Sequence, residues 1–292
     1  MGVRSAPERD RLRCLRGVPM SIPQPAPSRS DASGHPYWFI FSRNRILTDV
    51  RRGAPEVPRF LSIEQINPVP VRIISLGRLG DIDCYGVDSG PDAVPPEGME
   101  FSDLRPLLGQ VPDALFSMAG RALQLLDWQQ SFTFCPRCSA KLQDRPEERA
   151  KGCPSCNLVS YPPVVPAIIV AVVRDGKILL AHSHRFKFAF YSVLAGFVEP
   201  GETLEECVQR EVREEVGIEI SDIRYFGSLP WPFPNVLMTG FTARHESGEI
   251  IVDPKELRDA DWYGPEELPS IPGKGSIARQ LIDWFLATHR KV

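Results

Sequence analysis

No run of apolar residues in this chain is long enough to span a bilayer, and no signal-peptide apolar core with a small-residue cleavage site is present. Membrane insertion and secretion are therefore not expected, and the reading is a cytoplasmic protein. Charge of one sign is also scarce: the formal net charge is only −3. That excludes a broad phosphate-tracking surface of the kind used by sequence-independent nucleic-acid binders, while leaving room for a small basic patch. No internal repeat is visible. The 292 residues, 42% of them hydrophobic, suffice for two domains. Proline is in excess, at 29 residues. The first 19 residues carry five arginines together with Glu8 and Asp10, without a clear amphipathic pattern. Residues 1–35 are expected to be a mostly disordered leader, or an over-extended start upstream of Met20; mitochondrial import is the weaker alternative. Arg290-Lys291-Val292 is not a peroxisomal tripeptide.

The densest signal lies at 196–218, GFVEPGETLEECVQREVREEVGI. Thr203 and Glu206 form a Thr-x-x-Glu capping box that starts a helix, and Gly217 suits a left-handed stop. At about 100° per residue, Leu204, Cys207 and Val208 share one face. The same stripe is expected to continue as Glu211, Glu214 and Glu215. Carboxylates on an inward face repel one another and cost desolvation unless a cation sits among them. Hard oxygen ligands suit Mg²⁺ or Mn²⁺. The bland alternative is a Glu-rich helix with a solvated face. It would put the carboxylates opposite the apolar stripe, where Glu205, Glu206, Gln209 and Arg213 already stand. The spacing Gly196, Glu202, Arg210, Glu211, Val212, Glu214, Glu215, Gly217, Ile218 fits the Nudix signature G-x5-E-x7-R-E-U-x-E-E-x-G-U, with U a bulky aliphatic.

Four of the seven cysteines form a second signal. Cys135-Pro-Arg-Cys138 and Cys153-Pro-Ser-Cys156 are two CxxC turns separated by 14 residues. Each turn presents two thiolates to one ion, and together they complete a closed tetrahedral site, so the zinc is structural. The rival is a pair of disulfides in a secreted protein, which would leave Cys14, Cys84 and Cys207 as an odd remainder. Arg137, Lys141, Arg145, Arg149 and Lys151 surround the site, offset by Asp144, Glu147 and Glu148. Nucleic-acid module and folding staple both stay open.

The hydropathy pattern places a strand and a turn at 37–48 and strand-like pieces at 71–76 and 83–88, then Pro-rich loops around 91–97. Leu115, Met118, Ala119, Ala122, Leu123 and Leu126 mark an amphipathic helix over 111–129. The apolar run 167–174 suits a buried strand, and Asp175-Gly176 turns it into a second strand at 177–182. Further strands are expected at 192–197, 223–229, 236–244 and 249–252, with a last helix over 275–290. The domains read as a leader 1–35, an N-terminal α+β domain 36–130, a zinc ribbon 131–160 and an α/β domain 161–292.

Past the glutamate helix stands Ser228-Leu229-Pro230-Trp231-Pro232-Phe233-Pro234-Asn235-Val236. Three prolines around two aromatic rings make a stiff loop that suits stacking on a base, or else packing into a core. With ribbon, glutamate helix and loop in this order, the chain resembles the NADH pyrophosphatase (NudC-like) subfamily of Nudix hydrolases. The resemblance covers about 130–292 and only loosely the N-terminal third. Leu229 stands where that family has Gln, and Val236 where it has Ser, which puts preference among dinucleotides in question but not the hydrolytic machinery.

The resemblance implies an α/β/α Nudix sandwich. It implies metal ligands at Glu211, Glu214, Glu215, Glu256 and the main-chain oxygen of Ala195. Substrate contacts would come from Tyr161, Phe197, Leu229, Pro230, Trp231, Pro232, Phe233, Pro234, Asn235, Val236 and Ala278, with Arg105 reaching in from the N-terminal domain. It implies a homodimer whose partner completes each site. The implied reaction is metal-dependent hydrolysis of NADH or NAD⁺ to nicotinamide mononucleotide and AMP, with Glu215 favoured over Glu214 or Glu256 as the base. Arg210 is expected to orient a glutamate rather than touch substrate. Removal of an NAD cap from RNA at the same site is the first alternative. A non-cleaving dinucleotide sensor is the second, and the intact glutamates argue against it.

Overall fold

A computed structural model describes residues 34–65, 70–184 and 190–289. Residues 1–33 of the expected leader and the C-terminal tripeptide lie outside them. The N-terminal sheet holds β1 (Tyr37–Ser42), β2 (Arg45–Asp49), β3 (Arg72–Leu79), β4 (Ile82–Asp88) and β5 (Met99–Asp103), in the order β3-β4-β1-β2-β5. Only β1 and β4 run parallel. The run YWFIF is apolar at every position because both faces of this sheet are covered. Phe39 and Phe41 pack with Phe116, Ala119, Ala122 and Leu126 of α1 (Asp113–Ser131), whereas Trp38 and Ile40 pack with Leu47, Val87 and Phe101 on the other side.

A small three-stranded ribbon follows, with β6 (Gln143–Arg145), β7 (Ala150–Gly152) and β8 (Val159–Ser160). Lys151 fixes it to α1. Its ammonium is buried and donates to the carbonyls of Gln129 and Phe132, 2.9 Å each, over the Trp128 ring. Those are acceptors that a helix end leaves unmet.

The third unit is a mixed sheet between two helices. It contains β9 (Val165–Arg174), β10 (Lys177–Ser183), β11 (Leu194–Phe197), α2 (Leu204–Val216), β12 (Glu219–Trp231), β13 (Val236–Ser247), β14 (Leu257–Tyr263) and α3 (Ile277–His289). The strand order is β12-β13-β9-β10-β14, with β11 on β9 and with β13 parallel to β9. Ile168, Val170 and Val172 face Cys207, Val208, Val212 and Val216 of α2. Ile169 and Ala171 face Leu281, Ile282 and Phe285 of α3. Asp175 and Gly176 both have positive φ, 48° and 76°, as a two-residue hairpin turn requires. No helix among the described residues is long and apolar enough to cross a membrane.

Four expectations are corrected. Residues 249–252 are not a strand. Ile250 and Val252 cover the α2 core, and the backbone bonds from Ile251 to the Val216 carbonyl and from Asp253 to the Glu215 carbonyl fasten this loop to the helix end. The strand next to β10 is β14 instead. Its Leu257, Ala260 and Trp262 are buried between exposed charged residues. Strand β5 was also not anticipated, and β12 starts earlier than the apolar pattern suggested.

Candidate active site

The capping box forms as the sequence requires: Thr203 Oγ1 accepts from the Glu206 amide, and Glu206 accepts from the Thr203 amide. Gly217 closes α2 at φ 71°. The buried face carries Cys207, Val208, Val212, Glu215 and Val216. The stripe of three carboxylates is corrected in one respect. The side chains of Glu211 and Glu215 are nearly enclosed, but that of Glu214 is 60% exposed. The buried stripe is centred near Val208 and Glu215, so Glu214, three residues from Glu211, falls beyond its edge.

Arg210 organises the acidic groups. It grips Glu202 with two bonds, Nε to Oε1 at 2.7 Å and Nη2 to Oε2 at 2.9 Å. Its Nη1 reaches Glu211 at 2.9 Å and Glu214 at 3.0 Å, and Nη2 also donates to the Phe197 carbonyl. The guanidinium holds the Glu202 carboxyl down at about 2. Glu211 moves the other way: burial raises its proton affinity, and Glu214 and Glu256 add to the rise against the opposing pull of Arg210. An inward carboxylate so crowded is what a cation would relieve. Gly196 explains how Glu211 fits. A Cβ at that position would lie 1.8 Å from the Glu211 Cδ, so the carboxylate rests directly on the β11 backbone.

A cavity of about 270 Å³ opens beside these groups. Glu215, Glu256, Ala195, Trp231, Met238, Ile277 and Ala278 are among the residues that line it. The loop residues separate into four groups. Trp231 lines the cavity. Pro232 is buried against Gly120 of α1, where a Cβ would approach within 2.7 Å, and Phe233 packs on the N-terminal core. Leu229 packs on the α3 core and Val236 is buried. Pro230 and Pro234 are exposed, and Asn235 bonds across to Pro163 and Val165. Arg105 has its guanidinium 4.7 Å from the Phe233 ring centre and 5.7 Å from that of Trp231. Tyr161 and Phe197 are exposed and do not line the cavity; the Tyr161 hydroxyl donates to Glu148. Met238, Ser192 and Ile277 are cavity residues that sequence reasoning missed. Ordinary strand and helix patterning hides them.

In the ribbon, Cys135 and Cys156 sulfurs lie 3.6 Å apart, Cys138 and Cys153 sulfurs 3.4 Å, and all four within 4.8 Å. Thiolates about 2.3 Å from one tetrahedral ion sit at such separations. The four cysteines are free thiols, not disulfides.

Three family models match the chain in succession: the NADH pyrophosphatase-like rudimentary NUDIX domain at 36–128, the NADH pyrophosphatase zinc ribbon domain at 130–161, and the NUDIX domain at 163–285. A Deinococcus radiodurans protein named NAD-capped RNA hydrolase NudC is 42% identical over 222 residues, 75% of this chain and 79% of that one. The chain belongs to the NudC-like Nudix hydrolases. Two further relatives carry the same name. The one from Pseudomonas aeruginosa is 46% identical across 65% of this chain and 68% of its own length. The one from Escherichia coli is 48% identical across 60% and 68%. Like other NudC-like chains, this one carries a zinc ribbon ahead of its Nudix domain, and Nudix hydrolases use Mg²⁺ or Mn²⁺.

Proposed function

We propose that this hydrolase cleaves the pyrophosphate bond of NADH or NAD⁺ to nicotinamide mononucleotide and AMP. The observation that carries the reading is one cavity lined by Glu215 and Glu256 together with Trp231 and the start of α3. The carboxylates fit a cation with a pyrophosphate, and the apolar and aromatic residues fit a flat ring. Glu211, Glu214, Glu215, Glu256 and the Ala195 carbonyl would hold Mg²⁺ or Mn²⁺. The burial of Glu211 beside the Glu214 and Glu256 carboxylates supports that assignment. A divalent cation, when bound, supplies charge neutralisation for the pyrophosphate and a more acidic water. Glu215, enclosed on the cavity wall, takes the proton of the attacking water. Arg210 keeps Glu211 and Glu214 in place. Trp231 stacks on the ring, with Ala278 beside it, and Tyr161 and Phe197 meet substrate from the outer rim.

The same site would remove an NAD cap from RNA, because the RNA only extends the adenosine end toward solvent. The names of the relatives support this second substrate. A homodimer is part of the proposal. Val159, Tyr161, Val164, Val165 and Phe197 are exposed apolar residues at the junction of ribbon and Nudix sheet, where a second copy would cover them. Free thiols in the ribbon suit the reducing cytoplasm. The deciding experiment compares metal-dependent AMP release from NADH with cleavage of a 5′-NAD-capped RNA. Absence of both would refute the hydrolytic reading, and light scattering that gave a monomer would refute the dimer.

A further inference from the structure

Glu256 stands in a turn just before β14, so its place in the cavity depends on what holds that turn. The turn closes on Asp253. Its carbonyl accepts from the amides of Glu256 at 3.2 Å and Leu257 at 3.0 Å, and its Oδ1 accepts from the Lys255 amide at 2.9 Å. One end is tied to α2, where the Asp253 amide donates to the Glu215 carbonyl at 2.9 Å. The other end is tied to the end of β10. There the Glu256 carbonyl accepts from the Ser183 hydroxyl at 3.2 Å and from the His184 amide at 3.1 Å. The His184 ring adds a second point of attachment. Its Nε2 meets the Pro254 carbonyl at 3.1 Å, and its Nδ1 meets Arg258 Nε at 3.2 Å. A carbonyl only accepts and a guanidinium only donates, so both contacts fit one neutral tautomer, with the proton on Nε2. A bulge supplies the arginine. The β10–β14 register steps from His182–Asp259 to Ser183–Leu257, which leaves Arg258 as the extra residue. Bulges beside active sites re-aim side chains in this way.

We infer that His184 is a positioning residue, a latch that fastens the Asp253–Glu256 turn to the end of β10 and so keeps the Glu256 carboxylate in the cavity that Glu215 lines. The inference rests on the hydrolytic reading above, in which Glu256 is a metal ligand. His184 is exposed and does not line the cavity, so it acts through the turn rather than on substrate. Without the ring contact, the Glu256 end of the turn is held at one carbonyl only, and the turn can pivot there. A carboxylate on a pivoting turn must be ordered when a cation binds, which weakens binding; a carboxylate already held in place avoids that cost.

The test uses the full-length, zinc-loaded protein and two substitutions that split the ring's contacts. In His184→Asn the amide reaches only as far as Nδ1 and loses Pro254. In His184→Gln the amide nitrogen reaches about as far as Nε2 and can still donate to Pro254. Mn²⁺ titration read by electron paramagnetic resonance, without substrate, should show about ten-fold weaker binding in His184→Asn. His184→Gln should recover most of that loss. On a Glu256→Gln background, His184→Asn should cost nothing further, because the latch acts only through Glu256. With NADH, His184→Asn should need about ten-fold more Mg²⁺ and return to within about two-fold of the normal rate at saturating Mg²⁺, with KM for NADH unchanged. Unchanged Mn²⁺ affinity in His184→Asn, an equal loss in both variants, a further loss on the Glu256→Gln background, or losses that track a falling melting temperature would overturn the latch. So would a Glu256→Gln protein that binds Mn²⁺ normally. If the unaltered protein binds Mn²⁺ but fails to cleave NADH, the hydrolytic reading falls, and the titration alone decides whether the latch exists.

Discussion

Gly196 is the position where the structure sets the sharpest demand. A methyl group there would start 1.8 Å from the Glu211 Cδ, whereas real Cβ atoms essentially never approach a heavy atom within 3.0 Å. In Gly196→Ala the carboxylate must therefore retreat by more than an ångström, since the β11 backbone is paired to β9 and cannot. That breaks the 2.9 Å bond from Arg210 and shifts one wall of the acidic cluster. A displacement of this size near reacting groups costs about 100-fold in rate. AMP release should fall by about that factor, with the Mg²⁺ requirement shifted to higher concentration, while the melting temperature changes little because one side chain is displaced and the β11–β9 pairing stays in place. Shortening the glutamate supplies a check. Glu211→Asp withdraws the carboxylate by about 1.5 Å, one carbon–carbon bond, and placed on the Gly196→Ala background it should restore part of the activity. Near-normal turnover in Gly196→Ala, or a double variant weaker than either single one, would refute the packing argument.

Glu215→Gln should abolish AMP release and leave the melting temperature equal or higher, since a buried charge is removed; retained turnover would exclude this helix as the reactive one. Cys153→Ser should lose the tightly held zinc, about one ion per chain by a four-thiolate site, and unfold the ribbon, as zinc analysis and circular dichroism would report. Leu229→Gln should lower stability by about 1–3 kcal/mol, the cost of placing an amide against the α3 core, and leave the ranking of NADH, NAD⁺ and ADP-ribose unchanged; an altered ranking would put this side chain in the cavity. Glu202 is held at about 2 against its ordinary 4.5, so its grip on Arg210 stabilises the fold fully above pH 4.5 and is lost as pH falls toward 2. The melting-temperature gap between unaltered protein and Glu202→Gln should therefore close over that range, and a constant gap would refute it.

Much of this architecture is legible in the sequence where chemistry is local. The capping box, the left-handed Gly217, the Asp175-Gly176 turn and the paired CxxC turns each depend on a few neighbouring residues, and each forms as read. What escapes is set by distant packing. The apolar run at 249–252 has the composition of a strand, yet β14 had the better partner in β10, and the loop was left to cover α2. Glu214 lies off the stripe because the helix is rotated toward Val212 and Val216, a rotation that only the opposing sheet determines. The aromatic loop is harder still. Nothing in its own residues says that Trp231 lines the cavity while Phe233 packs on the N-terminal core, because the core it joins is built from residues about a hundred positions earlier.

Lys151 has a wider consequence. Its ammonium occupies the open end of α1 and covers Trp128, but its backbone is part of a ribbon too small to fold without its ion. Stripping the metal would take away the lid on that helix end, leaving the Phe132 carbonyl to find water and the Gln129 carbonyl with Arg72 alone. Metal supply thus becomes a condition on the integrity of the neighbouring N-terminal domain. The indole of Trp128 stands at the junction as a built-in reporter, which would register starvation for zinc before the hydrolytic cavity is lost.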